Sequence, residues 1–176
     1  HHEVIPDDKS MMKNTIENAL KRRSCVIVTG GLGPTCDDLT REVVTEIFHR
    51  KLVCDQSLLS LINERFHHPS TAENQATIPE GAYLLTNHYG TASGLVLRDE
   101  ALYPGAMLVC LPGVPIEMSH MCVDYLIPLL KTVPNSRKMF VYPIHCALLK
   151  EAEVDPLLRD FSKAGVSLGI YPAQGT

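Results

Sequence analysis

The chain has 176 residues, of which 45% are hydrophobic, and it carries a net charge of −4 at pH 7. This length suits one domain with a substantial core, and the lack of a basic excess argues against nucleic acid as a partner. The longest apolar runs are far shorter than a membrane span and no signal peptide is visible, so we expect a cytoplasmic protein without membrane association. The cysteines form no C-x-x-C pair, which indicates reduced thiols rather than a zinc site.

The first half of the chain predicts a strand, a glycine-rich turn and a helix. A short strand at Val4–Ile5 precedes a helix that begins after Asp7–Asp8. The β-branched run Val26–Val28 predicts a buried strand. Residues 29–40 (TGGLGPTCDDLT) form the turn, and apolar residues on one helical face follow it as far as Phe48. Such a turn lies at the carboxyl end of a strand, where open α/β sheets place their ligands.

The second half predicts further strands and helices around a central apolar strand. Leu52–Cys54 is an extended link, a helix runs from Ser57 to about Phe66, and residues 71–79 are polar without a clear period. The remaining predicted elements are strands at 83–85, 95–97 and 107–111, a helix at 115–130, a strand at 139–142, a helix at 151–161 and a strand at 166–171. This alternation predicts an α/β fold of three layers, α/β/α, with a mostly parallel sheet at 1–135, followed by a strand–helix–strand segment at 136–176.

The glycine-rich turn combines features of an anion site and a metal site. Its chemistry-bearing residues are Gly30, Gly31, Gly33, Asp37 and Asp38. The glycines let the backbone approach a ligand closely, and the amide groups of such a turn favour a phosphate. The two carboxylates would repel a bare phosphate, so a bridging divalent cation such as Mg²⁺ or Mn²⁺ is the simplest reconciliation. The alternative is a glycine turn in which one aspartate caps the next helix.

Three stretches of the chain resemble the motifs of the CinA amino-terminal domain, in the molybdopterin-binding (MoaB/MogA-like) superfamily. Residues 29–40 are similar to TGGLGPTxDDxT, residues 87–95 (NHYGTASGL) to N-x-x-G-T-A-P-G-F, and residues 111–118 (LPGVPIEM) to L-P-G-V-P-x-E-M. The run Cys36–Thr40 favours the CinA branch over the molybdenum-cofactor adenylyltransferases, whose version is closer to G-G-T-G-x-x-x-R-D-V-T-P. We therefore expect a ligand pocket where the loops at 29–40, 87–94 and 111–118 meet.

The resemblance implies a metal-dependent ADP-ribose pyrophosphatase that acts on a small-molecule nucleotide diphosphate. Asp37 and Asp38 would be catalytic and would hold a divalent metal (Mg, Mn or Co). The other implied site residues bind the phosphates, the ribose or the metal: Gly30, Gly31, Gly33, Thr35, Thr40, Gly90, Thr91, Gly94, Pro112, Gly113 and Glu117. The resemblance also implies a homo-oligomer, and it implies that residues 136–176 are a partial small α+β subdomain.

Two other functions remain open. One is molybdopterin binding or adenylylation in molybdenum-cofactor biosynthesis, with molybdopterin as the ligand in the same cradle. The other is a non-catalytic nucleotide-binding or interaction module. Local alternatives also stand: the glycines at 90–94 could form a simple hairpin turn, and Glu117 could merely favour the dipole of its helix.

The sequence departs from the family pattern in several places. The family's first strand and its acidic G-T-E-type turn do not precede the first helix, so we expect that this strand is missing. Asn74 stands where the family run N-x-[K/R]-Q-A carries a positive charge, and Ser93 replaces a proline. The carboxyl-terminal deamidase domain of full CinA proteins is absent from these residues, so nicotinamide-mononucleotide deamidation is not expected.

Overall fold

The computed structural model describes residues 1–133, 140–145, 150–163, 167 and 169. The chain divides into two compact units, His1–Ser136 and Arg137–Thr176, and each is described by itself. The helices are α1 Lys9–Leu20, α2 Thr40–Ile47, α3 Gln56–Phe66, α4 Ala72–Ala76, α5 Pro115–Met121, α6 Ile127–Lys131 and α7 Glu151–Lys163. The strands are β1 Cys25–Thr29, β2 Leu52–Cys54, β3 Thr77–Pro79, β4 Tyr83–Leu85, β5 Gly94–Arg98 and β6 Met107–Leu111. No helix in the described ranges is long and apolar enough to cross a membrane.

A four-stranded sheet in the order β1-β6-β5-β4 forms the centre of the first unit. Strand β1 pairs with β6 in parallel, whereas β6 with β5 and β5 with β4 are antiparallel. The predicted α/β class is confirmed, but the predicted mostly parallel sheet is wrong for the described strands. The reason is chain length, because residues 86–93 and 99–106 join neighbouring strands and a parallel crossover needs about a dozen residues or more.

Apolar side chains on both faces of this sheet produce the predicted three layers. On β6, Leu108 and Cys110 belong to the core that packs against α1 to α4. Met107, Val109 and Leu111 alternate with them and pack against the helix that follows β6. That helix consists of α5, a π-helical turn and α6. Every residue of β6 is buried, so the strand predicted to be central is central.

Several local predictions are corrected by long-range contacts. Residues 72–79, in the polar stretch that has no clear sequence period, form α4 and β3. Strand β3 pairs antiparallel with β2, with Leu52 opposite Pro79, so the predicted extended link is a strand. The predicted strand Val4–Ile5 is not formed, and Ile5 instead packs against the core. Strand pairing between residues far apart in sequence does not impose a hydrophobic period on a short polar segment, so the local sequence pattern could not predict it.

In the second unit, the predicted helix at 151–161 is present as α7, Glu151–Lys163. Phe140, Val141 and Tyr142 are exposed and form no strand, so the strand predicted at 139–142 is wrong in its described part. Met139 lies outside the described residues, as does most of the strand predicted at 166–171. The assignment of residues 136–176 to a partial α+β subdomain stays a prediction.

The strand registers bring three loops to one edge of the sheet. The parallel pairing ends with Thr29 opposite Leu111, so β1 and β6 finish side by side. Strand β5 runs the other way and begins at the same edge, with Leu95 opposite Cys110. The segments after β1, before β5 and after β6 therefore emerge together, at the carboxyl ends of the parallel strands where α/β sheets place ligands.

Candidate ligand-binding cleft

A cleft of 340 Å³ lies at this edge, between the three loops. The described residues that line it are Gly30, Gly31, Leu32, Gly33, Pro34, Asp38, Gln75, Thr91, Ala92, Pro112, Gly113, Val114 and Glu117. The predicted meeting point of the three motifs therefore coincides with a concave surface. The predicted site residues that do not line it are Thr35, Asp37, Thr40, Gly90 and Gly94.

The loops after β1 and β6 touch each other at the floor of the cleft. The main-chain N–H of Gly30 donates to the Leu111 carbonyl over 2.9 Å. A Cβ added to Gly113 would lie 3.2 Å from the Gly30 α-carbon, closer than side chains normally approach. Glycine at position 113 thus allows the two backbones to pack together, whereas Gly30 has a positive φ of +95° that favours glycine and has open space where a Cβ would lie.

Thr40 closes the signature loop (residues 29–40) from behind. Its side chain is buried, its hydroxyl donates to the Gly30 carbonyl over 2.9 Å, and its main-chain N–H donates to the Gly31 carbonyl over 3.1 Å. Gly31 has a φ of +67°, and a Cβ there would lie 2.3 Å from the Thr40 hydroxyl oxygen. Thr40 therefore shapes the loop without lining the cleft.

The carboxylate of Asp38 is fixed at the cleft by its neighbours. Its Oδ2 accepts hydrogen bonds from the Thr35 main-chain N–H, at 2.9 Å, and from the Thr35 hydroxyl. Burial raises the pKa of Asp38, but the bonds from Thr35 and Gly33 and the charge of Arg41 together bring that pKa below 3.8. The alternative of an aspartate cap is wrong, because α2 follows Leu39 without a side-chain cap bond.

The two adjacent aspartates do not share the cleft. Asp38 lines it, whereas Asp37 is exposed and is not among the lining residues. The second carboxylate of the cleft comes instead from Glu117, in the third motif. A metal role for Asp37 stays a prediction.

Asn87 organises the second wall, the Asn87 loop (residues 87–94). It is 3% exposed, and its Oδ1 accepts from the main-chain N–H groups of Tyr89, at 2.9 Å, and Gly90, at 3.0 Å. Its Nδ2 donates to the Ala92 carbonyl over 2.9 Å and to Glu117 Oε2 over 2.7 Å. A Cβ at Gly90 would lie 2.4 Å from Glu117 Oε1, so this glycine makes room for the carboxylate.

The local alternatives for the second and third motifs, a hairpin turn and an acidic residue in the first turn of a helix, are both compatible with a place in the cleft wall. The Asn87 loop does join an antiparallel hairpin, β4 to β5, and Thr91 within it lines the cleft. Glu117 does lie in the first turn of α5, after Pro115 at the first position, and it also lines the cleft. Gly94 begins β5, where a Cβ would lie 2.7 Å from Met121 Cε, so it serves packing.

Arg41 fastens the signature loop to α4 and β3. Its Nη2 donates to the Gly33 carbonyl over 2.9 Å and to Asn74 Oδ1 over 2.6 Å. Its Nη1 donates to the Thr77 carbonyl over 3.1 Å and to the Asn74 carbonyl. Asn74, which stands where the family has a positive charge, is thus an acceptor for an arginine on α2, directly after the signature loop. These hydrogen bonds hold the guanidinium against the protein, and Arg41 is not among the described residues that line the cleft.

Arg65 fastens the Asn87 loop in a similar way. From α3, its Nη1 donates to the Asn87 carbonyl over 2.8 Å and its Nη2 to the His88 carbonyl over 2.7 Å. Neither arginine was predicted as a site residue from the sequence. An arginine on a helix gives no sequence signal of which distant carbonyl it will bind, whereas Asn87, at the start of a recognised motif, could have been singled out.

The cleft is acidic, and its described lining residues include no lysine, arginine or histidine. Nowhere in the described ranges do three or more His, Cys, Asp or Glu side chains form a metal cluster. Mg²⁺ is nevertheless usually bound by one or two carboxylates, with substrate phosphates and waters completing its shell. Asp38 and Glu117 offer hard oxygen ligands of this kind, so the residues present fit a divalent ion whose coordination a phosphate ligand completes.

Comparison with known proteins gives a consistent family. The family model described as a probable molybdopterin binding domain matches residues 1–132. A putative competence-damage inducible protein of Caldicellulosiruptor saccharolyticus is 33% identical over 175 residues, which cover 96% of this chain and 41% of the relative. A CinA-like protein of Gemmatimonas aurantiaca is 40% identical over 131 residues, 71% of this chain and 30% of the relative.

A solved structure also resembles the chain. The crystal structure of the protein CinA from Thermoplasma acidophilum, described as of unknown function, superposes with a TM-score of 0.63 at 28% identity. The match covers 70% of this chain and 72% of that one. By contrast, the chain spans only 41% and 30% of the length of the two curated relatives above.

Proposed function

The chain belongs to the family of probable molybdopterin binding domains, as a CinA-like amino-terminal domain, and on that basis we propose that it is a metal-dependent nucleotide-pyrophosphate hydrolase whose substrate is ADP-ribose. Hydrolysis adds water across the P–O–P anhydride and yields AMP and ribose 5-phosphate. The proposal concerns the cleft between the signature loop, the Asn87 loop and the loop after β6.

The observation that carries the proposal is the charge of this cleft. Two carboxylates line it, Asp38 and Glu117, and the described lining residues include no basic side chain. A diphosphate brings further negative charge into the same space. Like charges at such close range repel strongly, so a diphosphate ligand requires a divalent cation between it and the carboxylates.

The chain's own groups provide the rest of the mechanism. Gly30, Gly31 and Gly33 line the cleft. The Gly30 N–H is bound to Leu111 and that of Gly33 to Asp38, so among these three, within the described residues, the Gly31 N–H is the donor that can hold a phosphate oxygen. The Thr91 hydroxyl lines the opposite wall and can orient the ribose. Asp38, with its lowered pKa, is ionised at neutral pH and would hold the ion together with Glu117. When bound, that ion supplies charge neutralisation and a lower pKa for the attacking water.

The test is ADP-ribose turnover with Mg²⁺, Mn²⁺ or Co²⁺, and in EDTA. We expect Asp38→Asn to lower metal-dependent release of AMP on the order of 100-fold, because the amide keeps the shape but loses the charge that holds the ion. Asp7→Asn is the matched control, since Asp7 is an exposed aspartate before α1. Full activity in Asp38→Asn would refute the metal role of this carboxylate.

The family description supports one competing function. A phosphate-bearing pterin such as molybdopterin could use the same glycine-lined cleft, and the matched family is described as a probable molybdopterin binding domain. Molybdopterin binding without ADP-ribose turnover would favour this function. A non-catalytic module is supported by Arg41, whose guanidinium binds Asn74 instead of facing the ligand. Nucleotide binding without turnover would favour the module.

A further inference from the structure

Gln75 is a cleft-lining residue whose side-chain oxygen is buried rather than exposed to the cleft. The residue is 3% exposed and lines the cleft beside the signature loop. Its Oε1 is buried and accepts no hydrogen bond within the part of the chain that the structure describes. Buried side-chain polar atoms are nearly always hydrogen-bonded, so an orphaned carbonyl oxygen in a cleft wall points to a partner that the protein itself does not supply.

The surrounding backbone holds Gln75 firmly in this position. Its main-chain N–H donates to the Thr71 carbonyl over 2.9 Å. On one side, Asn74 is bound through both its carbonyl and its side-chain oxygen by Arg41. On the other side, the Ala76 carbonyl accepts from the Asp55 main-chain N–H over 2.9 Å. The remaining freedom lies in the side chain, whose terminal amide torsion is soft and can turn the oxygen towards a ligand.

The chemistry of an amide oxygen limits what it can recognise. It accepts hydrogen bonds and donates none, so it cannot bind the oxygens of an ionised diphosphate. Its partner in a nucleotide must therefore be a neutral donor, either a sugar hydroxyl or a base amine. We propose that Gln75 is a specificity-determining residue whose carboxamide oxygen accepts a hydrogen bond from such a donor on the bound nucleotide. This inference rests on the proposed function for the ligand class.

The test compares Gln75→Met with Gln56→Met. Methionine has a similar length and removes the amide, while Gln56 is an exposed glutamine on α3 that receives the same change away from the cleft. Binding is titrated by calorimetry in Mn²⁺ with four probes: a non-hydrolysable methylene-bridged analogue of ADP-ribose, AMP, ribose 5-phosphate and inorganic pyrophosphate. The unfolding temperature without ligand is measured in parallel.

We expect Gln75→Met to lower the affinity for the ADP-ribose analogue on the order of tenfold and to leave the affinity for pyrophosphate unchanged. The ligand-free unfolding temperature should not fall, because an orphaned polar atom has been removed. Gln56→Met should change neither quantity. A loss shared with AMP puts the donor on the adenosine half, whereas a loss shared with ribose 5-phosphate puts it on the other ribose.

Unchanged affinity for all four probes in Gln75→Met would overturn the inference, with the oxygen then bound by a structural water. If Gln75→Met does not fold, Gln75→Asn, which keeps the amide but shortens its reach, should show the same selective loss, and its absence would overturn the inference. Gln75-dependent binding without ADP-ribose hydrolysis refutes the proposed hydrolase but supports this role. ADP-ribose hydrolysis by the wild type, with affinities that do not depend on Gln75, refutes the role of Gln75 but not the proposed hydrolase. A wild-type chain that binds no probe refutes both.

Discussion

The two walls of the cleft are fixed by different means. The signature loop is closed largely by its own residues, since Thr40 bonds to Gly30 and Gly31 and Thr35 bonds to Asp38. The Asn87 loop instead converges on one buried side chain, which makes four hydrogen bonds to the loop and to α5. Each wall has an arginine behind it that donates to main-chain carbonyls.

This contrast shows two ways of presenting a carboxylate. On the signature wall, Gly31 and Gly33 leave no space for a Cβ beside Thr40 and Asp38, and Gly90 likewise leaves none beside Glu117 on the Asn87 wall. On the Asn87 wall, satisfaction of polar groups matters most, because one amide serves Tyr89, Gly90, Ala92 and Glu117. Both walls should therefore be sensitive to added atoms, but the loss of one side chain should remove more hydrogen bonds from the second wall than from the first.

The largest effect is expected from Asn87→Ala, which breaks the second wall. It leaves several buried polar groups without partners and should lower the free energy of unfolding by about 3 kcal/mol. Thr40→Val, which removes a single hydroxyl bond from the first wall, should cost about 1 kcal/mol. Urea denaturation measures both, with Asn14→Ala on the exposed face of α1 as the control. Equal losses for Asn87→Ala and Thr40→Val would contradict the contrast.

The next effect separates steric crowding from backbone strain on the signature wall. Gly31 and Gly105 have similar positive φ angles, +67° and +70°, but only Gly31 has atoms where a Cβ would lie. Gly105→Ala should cost about 1 kcal/mol from the backbone alone. Gly31→Ala should cost about 1 kcal/mol more, because the new methyl group overlaps the Thr40 hydroxyl. If thermal unfolding gives the same loss of stability for Gly31→Ala and Gly105→Ala, the signature loop has room for a methyl group beside Thr40, which contradicts steric crowding.

The smallest effect sharpens the role of Asp38 within its wall. Its pKa in the folded protein is below the ordinary 3.8, so the ionised form stabilises the fold above about that pH. This contribution is lost as the pH falls through the lower folded pKa. Stability measured from pH 5 to pH 2 should therefore decline less steeply in Asp38→Asn than in the wild type. An identical slope would mean that the bonds from Thr35 do not favour the charged form.

The sequence was most informative where one motif spans a strand end, a turn and a helix start. Residues 29–40 and 111–118 follow parallel strands, so their meeting at one edge could be predicted. The positions of Asp37 and Asp38 relative to the cleft could not be predicted, because they depend on hydrogen bonds from Thr35 for which the sequence gives no signal. The alternative of an aspartate cap is wrong for the same reason.

Strand direction and the hydrogen bonds between distant segments were the features that the sequence predicted least well. Alternating strands and helices suggested a mostly parallel sheet, although the short connections around β5 already pointed to hairpins. Helix α4 and strand β3 lie in a polar stretch, and their places depend on Arg41 and on pairing with β2. Such contacts join residues far apart in sequence, so no local period records them.

The most direct test of the central claim is a calorimetric titration of the wild-type chain with the methylene-bridged ADP-ribose analogue, in Mn²⁺ and in EDTA. An acidic cleft without a basic side chain among its described lining residues should bind the diphosphate only when a divalent cation is present. We therefore predict affinity at least about tenfold higher in Mn²⁺ than in EDTA. Equal affinity in both would contradict a cation-bridged diphosphate site.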